Sequence, residues 1–284
     1  MAVARVPAAE DSHLIPVDRP VKAGLVQNML LEGDSSIRSM IRANGEAVED
    51  TKEVWTAMLE GQREVLAVAP DGDPSAVKFT VKKFTRTSEG KTTEPLKAGS
   101  VIEGKHAGGE STFTVDGEAA GKELAEVFKG LLSLSDPDDK TTGDENKAFG
   151  ADKPRKVGEQ WDVDGKEMAA IMPDDMPFLF DHDKTTGKLK LVEISVKDGV
   201  KCGLIQGEVT MQISGMKGLP AGFKADRAFL TVALDGLFPL DATLQPLREG
   251  TNMSFDFSGG MANGGGNTEM KMSGRFLLKQ KVLP

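Results

Sequence analysis

Between residues 188 and 214 the chain alternates apolar and polar positions. Val192, Ile194 and Val196 alternate with Glu193, Ser195 and Lys197; past Asp198-Gly199, Val209, Met211 and Ile213 alternate with Thr210 and Gln212. A period of two places one strand face in a core and the other in water. Asp-Gly supplies the positive φ angles of a tight hairpin turn. This stretch therefore predicts two long antiparallel strands, and the pattern recurs along the chain. Residues 25–31 and 36–42 read as strands separated by Glu32-Gly33-Asp34 and closed by Asn44-Gly45. Residues 52–59 and 63–69 flank Glu60-Gly61 as a further hairpin, and Asp71-Gly72-Asp73-Pro74 is a turn cluster. Next, Phe79 and Val81 alternate with Lys78, Thr80 and Lys82, while Phe84 leaves the register and marks a bulge. Leu230, Val232 and Leu234 lead to Asp235-Gly236, read as a turn. Met253, Phe255 and Phe257, then Met270, Met272 and Phe276, alternate on either side of a glycine-rich loop.

One stretch changes period. Leu124, Val127, Phe128 and Leu131 recur at helical spacing and predict an amphipathic helix over 118–134, its apolar stripe covering a sheet. Residues 135–150 are acidic and turn-rich, a surface loop. Asp164 is placed to cap a short helix running to Met172 and stopped by Pro173. The expected organisation is a flexible tail over 1–20, a β-rich half over 21–116, a helical and acidic-loop connector over 117–187, and a second β-rich half over 188–284. The fold class is mainly β (β-rich α+β): antiparallel meanders forming a curved sheet or open barrel, with the main helix on its concave side. Asp-Gly turns sit between alternating segments in both 65–85 and 192–213. That match reads either as an internal duplication or as a chance likeness of hairpins.

Composition narrows the function classes. With 284 residues, 39% hydrophobic and 28% charged, this is a globular chain rather than a disordered one. A net charge of -9 argues against nucleic acid or an anionic membrane as the main partner, since both need a basic surface. Cys202 is the sole cysteine and falls inside a strand, which suits an inert buried thiol better than a nucleophile. His13, His106 and His182 are scattered and form no local ligand pair. No apolar run approaches the length of a membrane-spanning helix, and the N-terminal residues lack the apolar centre of a signal peptide.

Two stretches, TVKKFTRTSEGKTTEPLKAGSVIEG and FGADKPRKVGEQWDVD with Trp161, resemble a family of secreted or envelope-associated bacterial β-rich proteins of unknown function. There an Asp-Gly hairpin leads into a charged strand, and a Val-Gly-Glu-x-Trp segment precedes the second half. The resemblance spans the chain from about Val21 and implies export, a secreted or periplasmic setting, with cytoplasmic residence as the alternative. It brings no catalytic residues with it.

The chemistry-bearing candidates are few. FLFDHDKTTG resembles the first motif of haloacid-dehalogenase-type phosphatases, with Asp181 as nucleophile, Asp183 as acid/base and Mg²⁺ between carboxylates. That fold needs parallel βαβ units, whereas antiparallel hairpins follow here. As a calcium loop the stretch lacks glycine at its sixth place (Thr186) and glutamate at its twelfth (Val192). A cation site built with the acidic loop at 136–145 is a further candidate. Gly90-Lys91-Thr92 lacks the preceding glycine and following helix of a phosphate loop. The 13 methionines and absent tyrosine are the remaining signal. Flexible thioethers fill cores or line adaptable apolar pockets. The pocket candidates are Met211, Met253, Phe255, Met270 and Met272 on strands, with Leu124 and Phe128 on the helix. The expectation is a non-catalytic secreted or envelope binding module for a lipid or other apolar ligand, with no cofactor and no catalytic residue. A protein-interaction module without a small ligand and an Asp181/Asp183 hydrolase are the alternatives. Partners are an apolar small molecule or an envelope protein, not nucleic acid.

Overall fold

The computed structural model describes residues 11–138, 144–172, 178–219, 222–263 and 266–284. Strands make up 64% of the chain and helices 8%, so the period of two sets the architecture. In chain order the elements are β1 (Ser12–His13), β2 (Val26–Ala43), β3 (Glu46–Val68), β4 (Pro74–Ser88), β5 (Lys91–Thr93), β6 (Val101–Ala107), β7 (Glu110–Val115) and β8 (Glu118–Ala119). Then come α1 (Lys122–Leu132), α2 (Glu145–Ala148), β9 (Arg155–Lys156), β10 (Gln160–Asp162) and α3 (Gly165–Ala170). The chain ends with β11 (Phe178–Lys197), β12 (Val200–Met216), β13 (Lys224–Pro239), β14 (Arg248–Asn263) and β15 (Gly266–Val282).

All strands except β1 and β9 join one antiparallel sheet in the order β10-β11-β12-β13-β14-β15-β2-β3-β4-β6-β7-β8, with β5 beside β4. The order is a meander with one seam, where the last strand pairs with the first long one from Val282↔Met29 to Thr268↔Ala43. The two β-rich halves therefore share a single curved sheet, which is not closed into a barrel.

Three glycine turns expected from the sequence are not turns. β2 runs through Glu32-Gly33-Asp34, β3 through Glu60-Gly61 and β13 through Asp235-Gly236. A Cβ at Gly33 would stand 2.8 Å from Leu131 Cδ2, and one at Gly61 would stand 2.6 Å from Phe79 Cε1 and collide with Thr80 O. These glycines admit a neighbouring side chain or backbone at a strand interior. Asn44-Gly45 and Asp198-Gly199 do turn, with φ of 54° and 82°, and 50° and 81°. The bulge before Phe84 is present: Glu60 pairs Lys83 while Gly61 pairs Val81, so Phe79, Val81 and Phe84 all reach the core.

One face of the sheet is apolar and covered in two parts. Over β2–β4, β6 and β7 lies α1, shorter than expected, which buries Val127, Phe128, Leu131 and Leu132. Phe128 packs between Phe84 and Phe113 at ring-centre distances of 5.6 and 5.9 Å. Burying such a ring stabilises the fold by about 1.5–3 kcal/mol. Over β11–β14 lie α2, α3 and the segment between them, with Ala148, Met168 and Trp161 buried. Asp164 caps α3, accepting from the amides of Lys166 and Glu167 at 2.9 and 3.2 Å. The expected stop at Pro173 lies outside the described residues, as do residues 139–143 of the acidic loop and Gly264-Gly265.

The expected N-terminal tail needs correction over residues 11–20; residues 1–10 lie outside the described ones. This segment is a strap. β1 pairs with β9, Ile15 is buried beside Trp161, Leu191 and Ile205, and Arg19 is buried as well. Ile15 seats where Gly203 has no side chain, since a Cβ there would collide with Ile15 Cδ1. Composition alone marked this stretch as loose, but one isoleucine and one arginine each find a fitted seat.

Candidate functional site

Register builds an apolar lane at the sheet's centre. On β15, Met270, Met272, Gly274, Phe276 and Leu278 share the helix-side face, while Glu269, Lys271, Ser273, Arg275 and Lys279 face the other way. Across from them on β14, Met253 pairs Phe276, Phe255 pairs Gly274, and Phe257 pairs Met272. Gly274 leaves room for the Phe255 ring, which a Cβ there would strike. Met253, Phe255, Met270, Met272 and Phe276 are each only half-buried. The lane lies between the two covered parts. Phe276 meets Trp55 edge-on at 6.3 Å on one flank, and Phe178 lies 5.5 Å from Phe255 on the other.

At one end of the lane the same face turns polar. Along β14 the series Phe257, Phe255, Met253, Thr251 ends at Glu249, which pairs Gln280 of β15. Glu249 stands four residues from Met253, roughly 13 Å along the strand. On β3 the inward series Trp55, Ala57, Leu59, Gly61 continues to Arg63, whose Nη2 donates to Gln27 Oε1 at 2.9 Å while its Nε is buried without a partner. Asp73 of the β3–β4 turn, Glu145 of α2 and Asp18 of the strap meet at this end.

The connections holding those segments together are specific. Val17 and Asp18 amides donate to Asn146 Oδ1 at 2.8 and 3.1 Å, and the Val21 amide donates to Gly72 O at 2.9 Å. Arg19 donates to the carbonyls of Pro16, Asp241, Leu244 and Pro239, at 2.8, 2.9, 3.3 and 2.7 Å. Burial, then repulsion from Asp71 and Asp18, pushes the Asp73 carboxyl up to about 6. Burial, then Asp73, Asp18, Glu249 and Asp71, raises Glu145 to about 7. Burial, then Asp73, raises Glu249 to about 7, with Arg63 and Arg19 pulling the other way. Asp73 and Glu145 are exposed at the surface, so water screens the effect of burial on both, and the part-buried Glu249 is the group on which it acts most fully.

The sequence candidates fall in different places. Met211 and Phe128 are fully buried, in the second and first clusters respectively. Leu124 is part-buried against α1's cluster, and Met253, Phe255, Met270 and Met272 converge on the lane. Asp181 and Asp183 sit within β11, which pairs antiparallel with β12 rather than entering a parallel βαβ unit. Asp181 pairs with Lys184 at 2.9 Å, whose hydrogen bond holds its carboxyl below the usual range, and it accepts from the Asp183 amide at 3.2 Å. His182 Nε2 lies 3.3 Å from Asp183 Oδ1. Among the described residues no three acidic, histidine or cysteine side chains are grouped to hold a metal. Cys202 is fully buried and burial raises its thiol. His106 is buried too, with Nδ1 2.9 Å from Ser111 Oγ. A depression of about 280 Å³ on the opposite, polar face is lined by Glu32, Asp34, Thr56, Met58, Thr85 and Lys279 among others.

The polar end was missed from the sequence, yet a signal was there. Glu249 and Arg63 each occupy an inward position of an otherwise apolar alternating series. A charge on the core side of a strand is an anomaly that alternation alone exposes.

No protein-family model matches the chain, and no curated protein matches it. Among solved structures, lipovitellin, described for its lipid–protein interactions, is similar at 6% identity and a TM-score of 0.39, over 93% of this chain and 25% of that one. The chain thus spans a quarter of that protein's length. MucB in complex with MucA(peri) is similar at 10% identity and a TM-score of 0.20, over 88% of each chain. An outer membrane channel from Pseudomonas putida F1 gives 11% identity and a TM-score of 0.20, over 94% of this chain and 98% of that one. Likeness at this level assigns no function. Among the described residues no helix is long and apolar enough to cross a membrane.

Proposed function

We propose that the protein is a non-catalytic secreted or envelope binding module that holds an apolar ligand on the helix-side face of its sheet. The observation that carries this is the lane of half-buried Met253, Phe255, Met270, Met272 and Phe276 between two covered parts of one face. An apolar strip left partly wet at the centre of a sheet, rich in adaptable thioethers, suits a lipid or acyl chain. The envelope setting rests on the sequence resemblance.

Native mass spectrometry of protein purified without detergent tests it, followed by titration with a fluorescent fatty acid. A co-purified apolar ligand displaced by the probe is expected. A clean apo mass together with no probe binding overturns the reading.

A second reading is favoured by β11. Its outer edge is bonded to residues 158–163 from Gly187 to Leu191, no strand pairs it beyond Leu191 among the described residues, and Val196 is 69% exposed. Such an edge can accept a strand from a protein partner. Recovery of a specific envelope protein by full-length chain, and not by Val196→Pro, distinguishes this from ligand binding.

A further inference from the structure

The last turn-proximal stretch of β11 is a preformed strand with one bare side. Residues 193–197 each pair with β12, from Glu193↔Leu204 to Lys197↔Val200, which fixes their backbone on the inner side. On the outer side the bonding stops at Leu191, whose amide donates to Glu159 O at 3.2 Å and whose carbonyl accepts from the Gly158 amide at 2.7 Å. Among the described residues no strand lies against residues 192–197 there. A row of peptide groups at such an edge is a template for another strand.

A bulge sets what this edge displays. The register slips between Leu191 and Glu193, so the cluster-side face passes from odd to even positions. Leu189 and Leu191 are buried before the slip, and Ile194 and Val196 share their face after it. Ile194 packs in part on the cluster of Ile15, Trp161, Leu191 and Ile205, while Val196 is 69% exposed. Glu193, Ser195 and Lys197 face the other way. Glu193 and Lys197 are exposed, and neither belongs to an ion pair among the described residues.

A strand arriving here must be apolar opposite Ile194 and Val196, basic opposite Glu193 and acidic opposite Lys197. The edge itself meets that requirement. Laid antiparallel on a second copy about a two-fold axis through Ser195, Ile194 faces Val196 of the other copy and Glu193 faces Lys197 of the other copy, each twice. Moving the axis by one residue destroys the match. About Ile194, Glu193 faces Ser195; about Val196, Lys197 faces Ser195 and Ile194 faces Asp198 of the turn. Lysine on an edge ordinarily blocks pairing, but an opposite charge directly across, flanked by β-branched apolar pairs, favours it.

We propose that the protein self-associates through β11, with residues 192–197 of two copies pairing antiparallel about Ser195 and joining two sheets into one. This rests on the open edge of the second reading above and not on the lane. In the pair, Ile194 and Val196 of both copies extend the Ile15, Trp161, Leu191 and Ile205 cluster across the two-fold, covering a face that a solitary chain leaves wet.

Analytical ultracentrifugation of the full chain from about 1 μM to about 200 μM spans the range expected of a contact this small. The mass should rise with concentration from 30.3 kDa toward twice that value. Glu193→Lys and Lys197→Glu, each alone, set like charges across both crossings and should raise the dissociation constant on the order of tenfold. An equimolar mixture of these two variants restores opposite charges at both crossings, as does the double variant, and both should associate as the unmodified chain does. A fold defect gives no such rescue. A chain monomeric throughout overturns the proposal, as do single swaps without effect or a mixture that fails to restore association. Capture of a different protein by a monomeric chain assigns the edge to that partner and overturns self-pairing. Titration of Glu193→Lys with the fatty-acid probe reports the lane alone, so failure of self-pairing and failure of the ligand reading are told apart.

Discussion

Gly33 of β2 lies directly beneath Leu131 of α1: a Cβ on Gly33 would sit 2.8 Å from Leu131 Cδ2 and 3.0 Å from Trp55. The side chains of Leu131 and Trp55 fill the space that a side chain at position 33 would need. Gly130 repeats the arrangement from the helix side, where a Cβ would stand 3.0 Å from Phe276 and 3.1 Å from Trp55. Gly33→Val should therefore push α1 off the sheet, at about 1–3 kcal/mol for overpacking. Urea denaturation checks it. An unchanged midpoint would show that α1 does not depend on this contact.

That pair also shows what the sequence could and could not convey. Alternation gave the long strands, and it gave the inward residues correctly at Val209, Met211 and Ile213, because period two is a local property; over 192–196 a register shift after Leu191 breaks the series, so Leu189 and Leu191 are the buried residues, Ile194 packs only in part and Val196 is 69% exposed. Helical spacing likewise located α1, and Asp164 located α3. The glycines misled. Glu60-Gly61 and Asp235-Gly236 look like Asn44-Gly45 along the chain, yet the first two occupy strand interiors where Phe79 and Phe238 need the space. Whether a glycine turns the chain or makes room depends on which side chain packs over it in the folded sheet. The lane was partly legible, since Met253, Phe255, Met270 and Met272 are four of the seven pocket candidates. The seam between β15 and β2 brings Phe276 and Trp55 together, and it cannot be seen in local pattern.

Phe128→Ala should destabilise strongly. The ring is fully buried between Phe84 and Phe113, so its loss removes transfer free energy and leaves a cavity, together about 3–5 kcal/mol. Met253→Ala, in the half-buried lane, should cost less, about 1–2 kcal/mol. Thermal unfolding of the two variants compares them, and equal losses would mean that the lane is packed core.

Arg19→Met should free the strap without disturbing α1. The guanidinium holds the carbonyls of Pro16, Asp241, Leu244 and Pro239, and methionine leaves them unpaired in a buried place. Hydrogen bonds to a charged group are worth more than neutral ones, so a loss of about 2–4 kcal/mol is expected. Limited proteolysis within residues 11–22 should accelerate while cleavage elsewhere stays slow. Uniform acceleration would place Arg19 in the general core.

Met272→Glu should weaken binding of a fatty-acid probe at least about tenfold, because a charge in an apolar strip costs well over 1.4 kcal/mol. Lys271→Glu, one residue away but on the opposite face, should leave binding unchanged. If both variants bind the probe equally, the ligand does not occupy the lane.

Global stability should peak in mild acid. Asp73, Glu145 and Glu249 have carboxyls raised from 3.8, 4.5 and 4.5 to about 6, 7 and 7, by burial first and mutual repulsion second. A raised carboxyl means that the native state holds its proton more tightly than the unfolded chain. Its stabilising contribution is complete below the unfolded value and is lost as pH rises through the folded one. Opposing this, hydrogen bonds lower Asp50, Asp116, Asp241 and Glu159, with Arg38, the Val101 amide, Thr243 and the Lys156 amide as the first causes. Those groups stabilise above their unfolded values and lose that contribution as pH falls further. The two sets together place the maximum near about pH 5, with decline both toward pH 3 and toward pH 8. Glu249→Gln should flatten the alkaline side, since the amide keeps the shape and cannot ionise. Melting temperatures at intervals from pH 3 to pH 9 measure both curves, and a wild-type maximum at pH 8 would contradict the crowding of these carboxylates.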